Sequence, residues 1–245
     1  MKDFLQDLVA HTHTLGVLPL VKVAAEHDNY VEVDSMAEDR SVILNAKTFA
    51  PVNGLSSVFG MPNLNKLDLH LKCPEYKNDA VINIVYDTRD GEYVPTGLHF
   101  TNAAGDFQND YRFMARAIIE AKVKKPKNKV EIVYDIEFKP EAANVQRLKF
   151  QAAAHTEETV FQVSTEDNNL VFSFGDASTH AGTFVFYTGI DYKLKNTWSW
   201  PVAQILSILN LDGTITMRIA DQGALQIVVD SGIAEYTYTL PAQTK

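Results

Sequence analysis

Cysteine is nearly absent from this chain: Cys73 is the only one in 245 residues. That excludes an intrachain disulfide and a thiolate metal cluster. An excess of positive charge is absent as well, with 22 Lys and Arg against 31 Asp and Glu, a formal charge of −9. The chain is therefore not basic all over, although a local basic surface within an acidic exterior stays open, because field depends on where charges sit. No apolar run approaches the length of a membrane span. Met1-Lys2-Asp3-Phe4 leads into an amphipathic helix and not into a signal peptide. The expectation is a soluble, cytosolic protein with no membrane partner.

Signatures of chemistry are missing too. There is no Walker-type or dinucleotide Gly-rich loop and no Gly-x-Ser-x-Gly elbow. His11 and His13 stand two apart, do not share a helix face, and read as surface residues with no carboxylate or Cys at ligand spacing. His155 and His180 sit in polar contexts. Asp176, Ser178 and His180 are too close in sequence to converge as a triad. Cys73, before Pro74, reads as an inert small residue at a strand end. No catalysis, metal or cofactor is expected.

What is present is a 46% hydrophobic content, ample for a packed core, arranged in short elements. Phe4, Leu5, Leu8 and Val9 predict a helix ending near Gly16. Strands are expected at Leu20–Ala25, Tyr30–Asp34 and Val42–Phe49. Pro51 opens a second short helix with Leu55, Val58 and Phe59. Leu67, Leu69 and Leu71 then alternate with Asp68 and His70, which predicts a strand, and Ala80–Tyr86 and Tyr93–Thr101 add two more. After residue 130 the order restarts. A strand at Val130–Phe138 and a helix at Pro140–Ala154 precede strands at Thr159–Ser164, Leu170–Phe174 and Thr183–Thr188. Trp200, Ile205, Leu206 and Leu209 recur at helical spacing with Pro201 in the first turn. Strands at Thr214–Ile219, Leu225–Val229 and Glu235–Leu240 close the chain.

The two halves overlay at an offset of roughly 140 to 150 residues. Gln6-Asp7-Leu8 falls on Gln146-Arg147-Leu148, and Val21-Lys22-Val23 on Phe161-Gln162-Val163. The turn at Asp28-Asn29 falls on Asn168-Asn169, and Ala50-Pro51-Val52 on Trp200-Pro201-Val202. This predicts a duplicated α+β protein with domains at 1–102 and 130–245. The stretch 103–129 reads as a surface connector ending in a lysine run from Lys122 to Lys129, with Phe107, Tyr111, Phe113 and Met114 docking part of it against a sheet.

Two such halves joined by a long connector resemble the DNA sliding clamps, closest to the two-domain clamps of T4-like phages and more distantly the PCNA-type clamps. Asp34-Ser35-Met36 with Ser41-Val42-Ile43-Leu44 resembles strands of a clamp's first domain. Ile219-Ala220-Asp221, Ala224-Leu225, Gly232 and Tyr236 to Pro241 resemble the closing strands and the Tyr-x-Leu-x-Pro type of ending, although Leu240 and Pro241 are adjacent here. The resemblance implies a homotrimeric ring, with helices lining the hole and antiparallel sheets outside, that encircles double-stranded DNA and tethers a DNA polymerase. It further implies an ATP-dependent clamp loader, a role in viral DNA replication and late-gene transcription, and the cytoplasm of a bacterial host. A β-rich phage structural protein is the alternative, since duplicated β-rich domains also build tails and capsids.

Encirclement calls for mobile phosphate contacts without base readout, so cations on or beside helices are the candidates: Lys2, Lys66, Arg147, Lys149, Lys193 and Lys195. Each of them equally fits a solvated surface. The resemblance also implies an apolar groove for partner peptides, matched by position at Met36, Ile43, Ala224, Leu225, Tyr238 and Pro241. Ile43, Leu225 and Tyr238 are equally what alternating strands bury in a core.

Overall fold

Alternation and helical spacing compete along this chain, and packing decides between them. The computed structural model describes residues 1–89, 91–124, 131–176, 178 and 180–243. The chain divides into two units. The first comprises residues 1–127 and 230–236, the second 128–229 and 237–245.

In the first unit, α1 (Lys2–Ala10) buries Phe4, Leu5, Leu8 and Val9. β1 (Leu20–Ala25), β2 (Glu32–Met36), β3 (Ile43–Thr48) and β4 (Ser57–Pro62) form an antiparallel sheet ordered β4-β1-β2-β3. α2 (Leu64–Lys72) follows. β5 (Val81–Arg89), β6 (Glu92–Thr101) and β7 (Gln108–Arg112) make a second antiparallel sheet in that order. α3 (Arg116–Lys122) then packs on the first sheet, where Ile119 and Val123 cluster with Ala24 and Val58.

Residues 51–72 overturn the reading from sequence. The expected helix around Val58 and Phe59 is β4, and the expected strand at Lys66–Leu71 is α2. Val58, Phe59, Gly60 and Met61 are all buried: Phe59 and Met61 face Val23 and Val21, while α3 covers Val58 and Gly60 on the other side. A strand covered on both faces reads as a continuous apolar run and cannot be told from a helix by period. In α2 the buried set is Leu64, Leu67 and Leu71, a helical spacing, while Leu69 is 66% exposed. Asn63 separates the two elements at φ 54, a left-handed conformation that Asn tolerates better than most residues.

The second unit repeats the plan. β8 (Ile136–Phe138) leads into α4 (Ala142–Ala154). β9 (Val160–Glu166), β10 (Asn169–Phe174), β11 (Gly182–Thr188) and β12 (Trp198–Pro201) form a sheet ordered β11-β10-β9-β12. Asp167 and Asn168, both at positive φ, make the two-residue turn from β9 to β10. After α5 (Val202–Leu209) come β13 (Thr214–Ala220), β14 (Ala224–Asp230) and β15 (Ala234–Pro241), of which residues 230 and 234–236 belong to the first unit, and β8 pairs antiparallel with β13. β8 is shorter than the strand expected from residue 130, which itself lies outside the described residues. Trp200, expected on the helix, lies on β12.

The registers give the true offset of the repeat. Val21 opposes Met61 as Phe161 opposes Trp200, and Val23 opposes Phe59 as Val163 opposes Trp198. Trp200-Pro201 therefore corresponds to Met61-Pro62, not to Ala50-Pro51. Leu8 and Leu148 hold matching positions, both at 0% exposure. Leu64, Leu67 and Leu71 of α2 match the buried Val202, Ile205 and Leu209 of α5. The stretch 103–129, expected as a surface connector, contains β7 and α3.

Candidate functional site

The cations expected to face a polyanion occupy different settings. Lys2 Nζ donates to Tyr76 O at 2.8 Å and Lys77 O at 2.9 Å, so it caps the carbonyls of a short 3-10 turn. Lys66 is exposed on α2, within a helix and not after one. Further along the same helix, Lys72 pairs with Asp68 at 2.7 Å. Sequence reading missed Lys72 because it placed 66–71 in a strand. On α4, Arg147 is exposed and donates through Nη1 to Asn144 Oδ1 at 3.3 Å. Lys149 is half-buried beside a depression of about 330 Å³ lined also by Val145, Leu209 and Ile215.

Lys193 and Lys195 are exposed in the segment between β11 and β12. That segment is anchored at Asp221, which accepts Lys195 N–H at 2.9 Å and Tyr192 Oη–H at 3.4 Å and stands 3.8 Å from Lys195 Nζ. Loss of hydration, with Asp135 and Asp221 nearby, pushes the Tyr192 phenol up. Lys122 ends α3 and Lys124 is exposed, whereas Lys125, Lys127 and Lys129 lie outside the described residues.

The residues matched to a partner groove also separate. In the first unit Met36 and Ile43 oppose each other across β2 and β3, both half-buried, and offer a small apolar patch. In the second unit Leu225 and Tyr238 are 1% and 0% exposed and Ala224 is buried. These three belong to the core of their strands and cannot line a surface as they stand. Pro241 is exposed at the end of β15. Beyond it the chain is held in place: Ala242 N–H donates to Gly223 O at 2.8 Å, and Gln243 N–H to Ser199 O at 2.9 Å. Trp200 Nε1–H donates to Leu240 O at 3.0 Å.

His11 and His155 are held in packed settings. His11 was expected at the surface without a carboxylate partner. It is 3% exposed, its Nδ1 lies 2.9 Å from Asp7 O and 3.2 Å from Asp7 Oδ1, and its ring stacks on Tyr236 at 4.4 Å. Asp7 Oδ2 accepts Tyr236 Oη–H at 2.8 Å and Ser231 Oγ–H at 3.0 Å. This network fastens the 230–236 segment to α1. Asp7 lies four residues before His11 on α1, a helical spacing that could have revealed the pairing. His155 is buried and stacks on Phe174. Asp176 accepts both the N–H and the hydroxyl of Ser178 in a local turn, and Thr179 lies outside the described residues. Cys73 is half-buried at the end of a helix, not of a strand. Among the described residues no group of three or more His, Cys, Asp or Glu could hold a metal ion, and no helix is long and apolar enough to cross a membrane.

No family model matches the sequence, and no curated protein matches it. Solved structures do. A. fulgidus PCNA, solved with the C-terminal region of FEN-1 bound, is similar over 100% of this chain and 95% of its own, with a TM-score of 0.64 at 10% identity. PCNA from Thermococcus kodakaraensis is similar over 99% and 97%, with a TM-score of 0.65 at 11% identity. The chain has the fold of PCNA-type sliding clamps over its whole length.

Proposed function

We propose that this chain is the subunit of a DNA sliding clamp. Three copies close into a ring around duplex DNA and tether a replicative polymerase for processive synthesis. The carrying observation is the match of the entire duplicated fold to PCNA over nearly the full length of both chains. Two strand edges support closure between copies. Among the described residues β7 ends one sheet of the first unit and β11 ends one sheet of the second, each with a side that pairs with no strand. β11, Gly182–Thr188, carries no charge, whereas β7 carries Asp110 and Arg112. An open, uncharged, aromatic-rich strand is a template for pairing with another chain, and head-to-tail pairing of unlike edges closes into a ring when the rotation permits.

The work such a ring does is topological. A polymerase that dissociates from the primer end while tethered rebinds before it diffuses away, because the tether sets a high effective concentration. Lys66 on α2, and Arg147 and Lys149 on α4, supply sequence-independent phosphate contacts that are weak enough to slide. The patch at Met36 and Ile43 and the exposed Pro241 receive peptide tails of polymerase and loader, as PCNA receives the FEN-1 segment. Opening the ring falls to a separate ATP-driven loader, since the chain contains no phosphate-binding loop of its own. The setting is replication of a T4-like phage in the cytoplasm of a bacterial host, with late-gene transcription factors sharing the tail site.

Native mass by light scattering across a concentration series, with particle images at the highest concentration, tests the reading. The expected result is three times the chain mass of 27.3 kDa and a central hole. Monomers at every concentration would overturn it, and large open assemblies would favour a virion component.

A further inference from the structure

The two units differ at one sheet edge. In the second unit β8 lies along β13, with Phe138 opposite Met217 and Ile136 opposite Ile219. None of these four side chains is more than 4% exposed. The corresponding strand of the first unit, the first after its second helix, is β5. It ends its sheet, and no described residue pairs along its other side.

The consequence shows in burial. Ile82 and Ile84 oppose Phe100 and Leu98 across the β5–β6 pair and so share their face. Phe100 and Leu98 are 0% exposed, yet Ile82 and Ile84 are only half-buried, and Val81 is 50% exposed. The stretch Val81 to Tyr86 is β-branched and aromatic apart from Asn83, with no charge and no proline. Charged side chains and proline are the usual guards of a strand edge. Two other edges are met by the chain itself: Met114 bridges to Gly60 on β4, and Gln243 to Ser199 on β12. The charged residues of β5 begin only at Asp87; Gly54 accepts from Tyr86 Oη–H and lies close to Ile84, but no described strand pairs along Val81–Tyr86 on that side.

The geometry points to β5 as a strand-addition site for an extended segment of a partner protein. The segment runs antiparallel to Val81–Asp87 and sets apolar or aromatic residues at alternate positions over Ile82 and Ile84. Its chemistry is read from the strand that fills the equivalent place in the second unit, where Ile136 and Phe138 point to the core and Glu137 lies between them, exposed. Main-chain bonds supply the affinity and the alternate side chains the specificity. The site is separate from the Met36–Ile43 patch and does not rest on ring formation.

The probe is a labelled peptide with the sequence of residues 132–139, Ile-Val-Tyr-Asp-Ile-Glu-Phe-Lys, titrated by anisotropy, with amide hydrogen exchange to locate it. Binding is expected to protect amides in 81–87. Ile82→Lys should weaken it about tenfold or more, and Asn83→Lys, on the opposite exposed face, less than about twofold. A probe with Lys at the positions of Ile136 and Phe138 should not bind. Should Ile82→Lys fail to fold, a backbone N-methylated probe tested on the unaltered protein takes its place and should also fail to bind. No protection at β5 under saturating probe overturns the proposal, as does protection confined to β13 through exchange with β8. A concentration-dependent mass abolished by Ile82→Lys would assign the edge to a second copy and overturn it equally.

Discussion

Asp7 offers the sharpest test of how the first unit holds the 230–236 segment. Its carboxylate, with 9% of the side chain exposed, accepts from Tyr236 at 2.8 Å and Ser231 at 3.0 Å and stands 3.2 Å from His11 Nδ1. Hydrogen bonds to a charged acceptor contribute about 1.5–3 kcal/mol each. Ser231 Oγ retains Ala234 O at 3.1 Å, so its loss sits at the low end. Removing a buried carboxylate also relieves its desolvation, which offsets part of the cost. Asp7→Ala should therefore lose about 3 kcal/mol, and Tyr236→Phe about 1.5 kcal/mol. The double variant should fall short of additivity by about 1.5 kcal/mol, because one bond is shared. Urea unfolding followed by circular dichroism reads all three, provided the slope is unchanged. A loss below about 0.5 kcal/mol for Asp7→Ala, or strict additivity, would refute the reasoning.

Further tests address the sheets, the cations and the partner patch. A Cβ on Gly60 would lie 2.8–2.9 Å from Ile119, so Gly60→Ala should cost about 1–3 kcal/mol and reduce exchange protection in α3. His70 is held below its ordinary 6.5 by burial, with Lys66 adding to it. The unfolded chain thus takes up the proton first, and this histidine lowers stability as pH falls through 6.5 toward the folded value; Lys66→Ala should raise its NMR titration midpoint. Lys66→Ala with Arg147→Ala should flatten the salt dependence of duplex binding by about 0.9 in log–log slope for each phosphate no longer neutralised, whereas Lys2→Ala should lower stability and leave that slope in place. Leu225→Ala should destabilise by about 2–5 kcal/mol, while Met36→Ala should weaken partner-peptide binding with the unfolding midpoint unmoved.

Much of the fold was legible because most strands here are buried on one face. Leu20–Ala25 was read to the residue, and β10, β11 and β13 to within one, since alternation and turn residues agreed. The failure at 51–72 has a tertiary cause: α3, more than fifty residues downstream of Val58, covers the second face of β4 and erases its alternation. Leu67, Leu69 and Leu71 show both periods at once, and only Leu64 and the depth of the core distinguish them. The candidate site was less legible. Charge and chain position identify Lys66 and Arg147, but nothing in a sequence distinguishes a lysine in solvent from Lys2, whose ammonium caps two carbonyls, or from Lys195, whose backbone is pinned to Asp221. Tyr238 and Leu225 matched a groove by position while their alternation already assigned them to a core.

The correction of α2 changes the electrostatic argument for encirclement. While Lys66 stood outside a helix, only Lys2 and the two cations of α4 lay on helices, against a chain of net charge −9. In the structure Lys66 and Lys72 both lie on α2 with Asp68 as its single acid, and α4 carries Arg147 and Lys149 with no acid at all. The helices that match them in the repeat cannot contribute. α1 carries Asp3 and Asp7 with its one lysine engaged by carbonyls, and α5 has no charged residue. α2 corresponds in the repeat to α5, and α4 to α1, so the duplication has kept one cationic helix of this pair in each unit at non-equivalent positions. Scattered surface lysines would have no reason to divide this way, because solvation alone does not favour one helix of a repeat over its copy. A duplex within the proposed ring would supply such a reason: each unit would need phosphate contacts, but a surface that slides needs few of them, since every added contact deepens the wells between which a ring moves.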